Sequence, residues 1–156
     1  MSSRQNLYTG RSGQLAVMSQ FLMRGYNVAM PEVDVGEDIF VVRDRDADLS
    51  RIQVKAAIGK GKQKVAGTFK VSLAQLNVER DPDLYYVFTL HQDGLWREFV
   101  ILPRNTLWQL GDEGIGHVAG KDRIFYLSFT REDVQCSGSS LAQYRGDWSL
   151  WPVIQH

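Results

Sequence analysis

The residues whose types and spacing could do chemistry in this chain are Asp38, Gln53 and Lys55. They lie in PEVDVGEDIFVVRDRDADLSRIQVKAA, residues 31–57, where seven acidic side chains fall between Glu32 and Asp48 and a lysine then interrupts an apolar run. A half-buried ammonium is costly unless an anion or a reacting group faces it. A carboxylate and an amide oxygen are hard ligands suited to Mg²⁺, which keeps several waters and takes only one or two carboxylates. A lysine beside them can orient an attacking water and stabilise charge developing on a phosphate. Those parts suit phosphodiester hydrolysis. The same three types also fit a solvated sheet face on which Lys55 pairs with a nearby acid, an interaction that contributes little. Asp34 and Gly36 fit either a turn ahead of the strand or a direct part in the site.

A hairpin has to bring these groups together. DIFVVRD reads as an outgoing strand rich in β-branched and aromatic residues, RDADLS as the loop and RIQVKAAI as the returning strand. Side chains on a strand alternate faces, so Gln53 and Lys55 share one face and Ile52 and Val54 the other. Upstream, Leu15, Val17, Met18, Phe21 and Leu22 recur at helical spacing, which predicts a helix over 12–24 with Ser12 as its N-cap and Gly25 as its stop. YNVAMP follows as a short strand.

Downstream, GKGKQKVAGT reads as a mobile basic loop, FKVS as a short strand and SLAQLN as a brief helix from Ser72. LYYVFTL and REFVILP are strands joined through an Asp93-Gly94 turn, and RNTLWQL begins a helix after Pro103. GDEGIGHVAGKD reads as a glycine-rich loop and RIFYLSF as a strand; Thr130 is placed to cap a helix, and the tail closes over the core with Trp148 and Trp151. Tyr85, Tyr86, Phe88, Trp96 and Trp108 are expected in the core or at its edges. The expected fold is α/β, one domain over residues 1–156, with a mixed central sheet flanked by helices in the order α-β-β-β-α-β.

At 156 residues the chain is long enough to bury a core without disulfides. Its apolar runs are too short and too broken by charge to span a membrane, and MSSRQNLYTGRSG lacks the apolar centre of a signal peptide, so a cytoplasmic protein is expected. The net charge of zero conceals segregation: +3 over residues 1–30, −5 over 31–50, +6 over 51–80 and −4 over the rest. Such a pattern allows a basic face beside an acidic pocket, while overall neutrality argues against indiscriminate nucleic-acid binding. Lys60, Lys62 and Lys64 in the basic loop, and Arg11 near the first helix, fit phosphate contacts or an ordinary solvated surface equally well. Cys136 has no intrachain partner and reads as a reduced bystander thiol; His91 and His117 lie too far apart in sequence to read as a metal pair, and His156 is expected to be mobile. Neither GKGK nor GDEGIG has phosphate-loop spacing, so no nucleotide cofactor is expected.

The order of helix, DxGxD segment (Asp34, Gly36, Asp38), apolar strand, loop and IQVK resembles the PD-(D/E)XK nuclease superfamily, in particular the branch with glutamine at the second acidic position, found in group I intron homing endonucleases and related small bacterial proteins. The match covers about residues 10–57, with YYVF and FVILP fitting later strands more loosely. The resemblance implies a restriction-endonuclease-like core and a Mg²⁺-dependent DNA endonuclease, with Mn²⁺ as substitute metal. It implies that Asp38 binds the metal, Gln53 fills the Asp/Glu position and Lys55 is the catalytic lysine. Family members often carry a Gly-Glu pair on the first helix; here it is Gly13-Gln14, so Gln14 stands where a carboxylate would assist the metal. Two amides in place of carboxylates weaken the expected hold on a cation, and a nuclease-fold protein without catalysis, serving as a nucleic-acid-binding or assembly subunit, is the alternative. DNA is the implied partner, and a homodimer would supply one site for each strand.

Overall fold

The computed structural model describes residues 2–156. Helix α1 (Ser3–Met23) buries Gly13, Val17 and Phe21 along one stripe and starts well before the expected residue 12. Its cap is Ser2, whose hydroxyl accepts the Gln5 N–H at 3.2 Å and so satisfies one donor that a helix start leaves free. Ser12 lies inside the helix, and its hydroxyl instead accepts from Trp96 Nε1 at 3.0 Å.

After Gly25 come strands β1 (Asn27–Ala29), β2 (Ile39–Arg43), β3 (Asp48–Ile58) and β4 (Val65–Ser72). Next are the short helix α2 (Leu73–Leu76), β5 (Leu84–Gln92), β6 (Leu95–Pro103) and helix α3 (Arg104–Asp112). Strands β7 (His117–Ala119), β8 (Asp122–Phe129), β9 (Val134–Cys136) and β10 (Ser139–Ser140) complete the sheets. The central sheet runs β1-β2-β3-β5-β6 and is mixed, because β3 and β5 are parallel while its other neighbours are antiparallel. The α-β-β-β-α-β order therefore holds once β4 is set apart.

That strand belongs to a second, antiparallel sheet, β10-β9-β8-β4, with β7 also on β8. Three expectations change with it. Val65–Thr68, read as loop, is strand, because Val65 and Phe69 bury against the core while Gly67 lets β4 come close to Ala57 and Leu90. Part of the glycine-rich GDEGIGHVAGKD is β7. Thr130 caps no helix: its hydroxyl accepts the Asp133 N–H at 3.1 Å in the turn that leads into the β9–β10 hairpin.

The central sheet is covered on both faces. Val17 and Phe21 of α1 pack on Ile39, Val41, Ile52, Val54 and Val87, and the tail adds Trp148 and Trp151 edge-on to Phe21 at 5.3 and 5.2 Å between ring centroids. On the other face Tyr86, Phe88 and Leu90 meet Phe69, Phe125 and Leu127 of the second sheet, with Phe69 and Phe88 stacked at 4.9 Å. Helix α1 sits close: a Cβ on Gly13 would lie 2.6 Å from that of Ala56, so only glycine fits there. Burial of a core phenylalanine contributes about 1.5–3 kcal/mol, so these two layers fix where β3 lies. Among the described residues no helix is long and apolar enough to cross a membrane.

Candidate functional site

Strand β2 begins at Ile39, opposite Ile52. Ile39 and Val41 turn toward α1, so Asp38 turns the other way, as do Gln53 and Lys55 on β3. The Asp38 N–H donates to the Ile52 carbonyl at 2.8 Å, and then its side chain takes over from the strand. Its Oδ2 accepts the Val54 N–H at 2.7 Å and the Gln53 Nε2–H at 2.7 Å. The carboxylate thus extends the ladder past the first residue of β2, and the expected meeting of Asp38 with Gln53 is present.

Lys55 completes the group, half-buried and opposite Phe88 of β5. None of the ion pairs among the described residues includes it. Burial pushes its pKa down, against the opposing pull of Asp38, Asp122 and Asp34. Burial likewise pushes the Asp38 carboxyl up, opposed by the Val54 N–H and by Lys55 and reinforced by Asp34. Burial thus favours the neutral form of each group.

The segment ahead of Asp38 is tied down by residues far along the chain. Arg80 donates through Nη1 to Glu37 Oε2 at 2.6 Å and through Nη2 to the Val35 carbonyl at 2.7 Å, while Gln75 Nε2 donates to the Gly36 carbonyl at 2.9 Å. Arg51 lies 3.9 Å from Glu37, which is only 3 % exposed. Gly36 has φ of +116°, and a Cβ there would collide with Gln75 and Arg80. Asp34 closes the turn by accepting the Gly36 N–H at 2.9 Å, so its turn-shaping role is present alongside its electrostatic one.

The remaining candidates are spread around this core. Gln14 on α1 makes no direct bond to Asp38, though it weakly favours the charged carboxylate, and its Oε1 accepts from Arg11 Nη1 at 3.2 Å. Lys60 lines the same groove as Lys55; Lys62 and Lys64 lie exposed in the loop beyond. Arg80, Gln75 and Asp122 had no signal in the sequence, since each reaches the site across dozens of residues, whereas Glu37 adjoins Asp38 and turns to Arg80. Cys136 is buried with its thiol pushed up by burial, which makes it inert. His91 packs edge-on to Trp96, and His156, rather than moving freely, meets the Gly25 carbonyl at 3.2 Å.

Asp38 Oδ1 and Gln53 Oε1 make no hydrogen bonds among the described residues and are hard oxygen donors. No three His, Cys, Asp or Glu side chains gather among the described residues. The donor set therefore fits a hard cation that retains most of its waters, and does not fit Zn²⁺, which wants nitrogen and sulfur.

No protein-family model matches the chain, and no curated protein does. The fold is nonetheless of an established kind, a mixed α/β architecture. It is similar to the solved structure of the bacterial homing endonuclease I-Ssp6803I, with a TM-score of 0.54 at 21 % identity over 90 % of this chain and 87 % of that one.

Proposed function

We propose that this protein is a small Mg²⁺-dependent DNA endonuclease of PD-(D/E)XK type. The observation that carries the reading is the Asp38–Gln53 contact at 2.7 Å beside an unpaired Lys55, on a fold shared with a homing endonuclease. Asp38 would hold the metal through Oδ1 and Gln53 through Oε1. A bound Mg²⁺ supplies positive charge to the phosphoryl oxygens. Lys55 orients the attacking water in line with the leaving oxygen, and its depressed pKa brings the neutral amine, able to take up the water's proton, closer to working pH. The Arg80–Glu37 brace keeps Asp38 in register with β3. Arg11, Lys60, Lys62 and Lys64 contact phosphates, and a homodimer gives each strand of a duplex its own site.

The test is incubation with supercoiled and branched DNA in Mg²⁺ or Mn²⁺, beside Asp38→Ala and Lys55→Ala. Cutting by the wild type and by neither variant is expected. Cutting that survives both substitutions removes this site from consideration.

One observation favours a second reading, a nuclease-fold protein without catalysis that binds nucleic acid or joins an assembly: Gln53 spends its amide N–H on Asp38 where the resemblance places a carboxylate, and Gln14 is occupied by Arg11. Calorimetric titration with Mn²⁺ separates the two. DNA binding with no heat of metal binding selects the second.

A further inference from the structure

Beside the site runs a groove of 490 Å³ between β3, the outward face of β4 and β8, and the start of α1. Lys55 stands at its junction with the site, and Lys60, Lys70 and Tyr126 line it further along, with no acidic residue among the groove-lining side chains. Lys70 and Thr68 are exposed on β4, and Tyr126, opposite Thr68 on β8, is 56 % exposed. Along the floor, β3 has lost its neighbour. Ile52 and Val54 direct their backbone groups toward β2 and Asp38, so Ala56, two residues on, directs its peptide to the same edge, beyond the start of β2.

We propose that this groove holds a single-stranded segment of DNA next to the phosphate that is cut, with Lys60 and Lys70 on its phosphates and Tyr126 stacked on a base. This rests on the nuclease reading and names the form of substrate. The exposed aromatic decides for an unpaired strand: a base can stack on Tyr126 only once it has left the stack of its own duplex. The chemistry decides for a nucleic-acid strand. Lysines spaced along a groove with an exposed aromatic between them are what tracks a backbone and stacks bases without reading sequence. The exposed tyrosine has no structural task on that face, since the core of the second sheet lies on the other side, with Phe125 and Leu127. The substrate would then be a duplex with an overhang, flap or frayed end, in which the unpaired nucleotides enter the groove and the junction reaches Lys55.

The test measures fluorescence anisotropy in EDTA, where no metal is present and nothing is cut, using a labelled blunt duplex and the same duplex with an unpaired overhang. Wild type is expected to prefer the overhang. Tyr126→Ala should weaken overhang binding roughly 5- to 100-fold and leave the blunt duplex unaffected, while Tyr126→Phe, which keeps the stacking face, retains the preference. Lys70→Gln should lower the salt dependence of overhang binding by roughly 0.7 in the log–log slope, one phosphate contact on a single strand. Equal binding of both DNAs by the wild type, or an unchanged preference in Tyr126→Ala, overturns the proposal whether or not the protein cuts. An overhang preference that depends on Tyr126 sustains it even if cleavage assays are blank, in which case the nuclease reading falls alone.

Discussion

Arg80 and Glu37 meet at 2.6 Å across 43 residues of sequence, and the same guanidinium holds the Val35 carbonyl at 2.7 Å. A bidentate arginine of this kind fixes a peptide in orientation as well as position. What it fixes is the turn that delivers Asp38 to β3.

Removing Arg80 leaves Glu37 buried with only the more distant Arg51 to answer its charge. Arg80→Ala is expected to cost about 3–5 kcal/mol in urea unfolding, with Arg80→Lys recovering only part because an ammonium cannot make both contacts at once. Both variants should also bind Mn²⁺ more weakly, as Asp38 loses its seat. An unfolding midpoint equal to the wild type's in Arg80→Ala would show that the brace is ornamental.

Asp38 behaves in the opposite sense. Burial raises its folded pKa above the unfolded value of 3.8, so its ionisation opposes folding at pH above the folded pKa, and that penalty fades as the pH falls through it. Asp38→Asn keeps an oxygen for the Val54 N–H while discarding the charge. It should abolish cutting and raise the melting temperature at neutral pH, by about 2–4 °C for each 1 kcal/mol relieved. The gap between the two melting curves should narrow on acidification, and calorimetry at two pH values checks this.

Lys55 is held below its ordinary pKa of 10.5, chiefly by burial. Lys55→Arg preserves positive charge but cannot surrender its proton, so kcat should drop by about 10²–10⁴ while Mn²⁺ affinity stays within a few-fold. In the wild type kcat should climb with pH and level off below 10.5, a limb absent from any residual activity of the arginine variant. Equal pH–rate profiles would remove proton transfer from the role of Lys55.

Gln53→Glu restores a carboxylate. Metal affinity should rise by about tenfold or more at pH 8, because a factor of ten needs only about 1.4 kcal/mol. Without metal the two carboxylates repel and the Nε2–H donor to Asp38 is gone, so the metal-free protein should melt lower than wild type. Paired melting curves with Mn²⁺ and with EDTA read both effects; a variant whose metal-free form is as stable as the wild type contradicts the account.

The site was legible in the sequence where neighbouring strands carry it. The alternation around Gln53 and Lys55 and the Asp93-Gly94 turn are local signals, and both hold. The second sheet was not legible, because β4 pairs with β8 fifty or more residues away and opens on a valine, an alanine and a glycine that follow a basic loop. Thr130 with Asp133 has the look of a helix cap, yet Asp133 spends its carboxylate on Gln135 and on Ser140 at 2.6 Å, closing a hairpin instead. Ser12, a serine ahead of an apolar stripe, imitates the start of helix α1, and the tryptophan that takes up its hydroxyl lies 84 residues later. The Arg80 brace is invisible for the same reason: nothing local marks two oppositely charged residues as partners.

Where β2 begins has a consequence for how such a protein can change. Four more paired residues, back to Val35 in the present register, would seal Val54 and Ala56 with peptide groups, evict the Asp38 side chain and wall off the approach to the amine. Whether the molecule is open to a polymer or shut thus depends on the length of a single β-segment, so insertions or deletions in the turn that precedes it should matter more than most substitutions within the layers on either side.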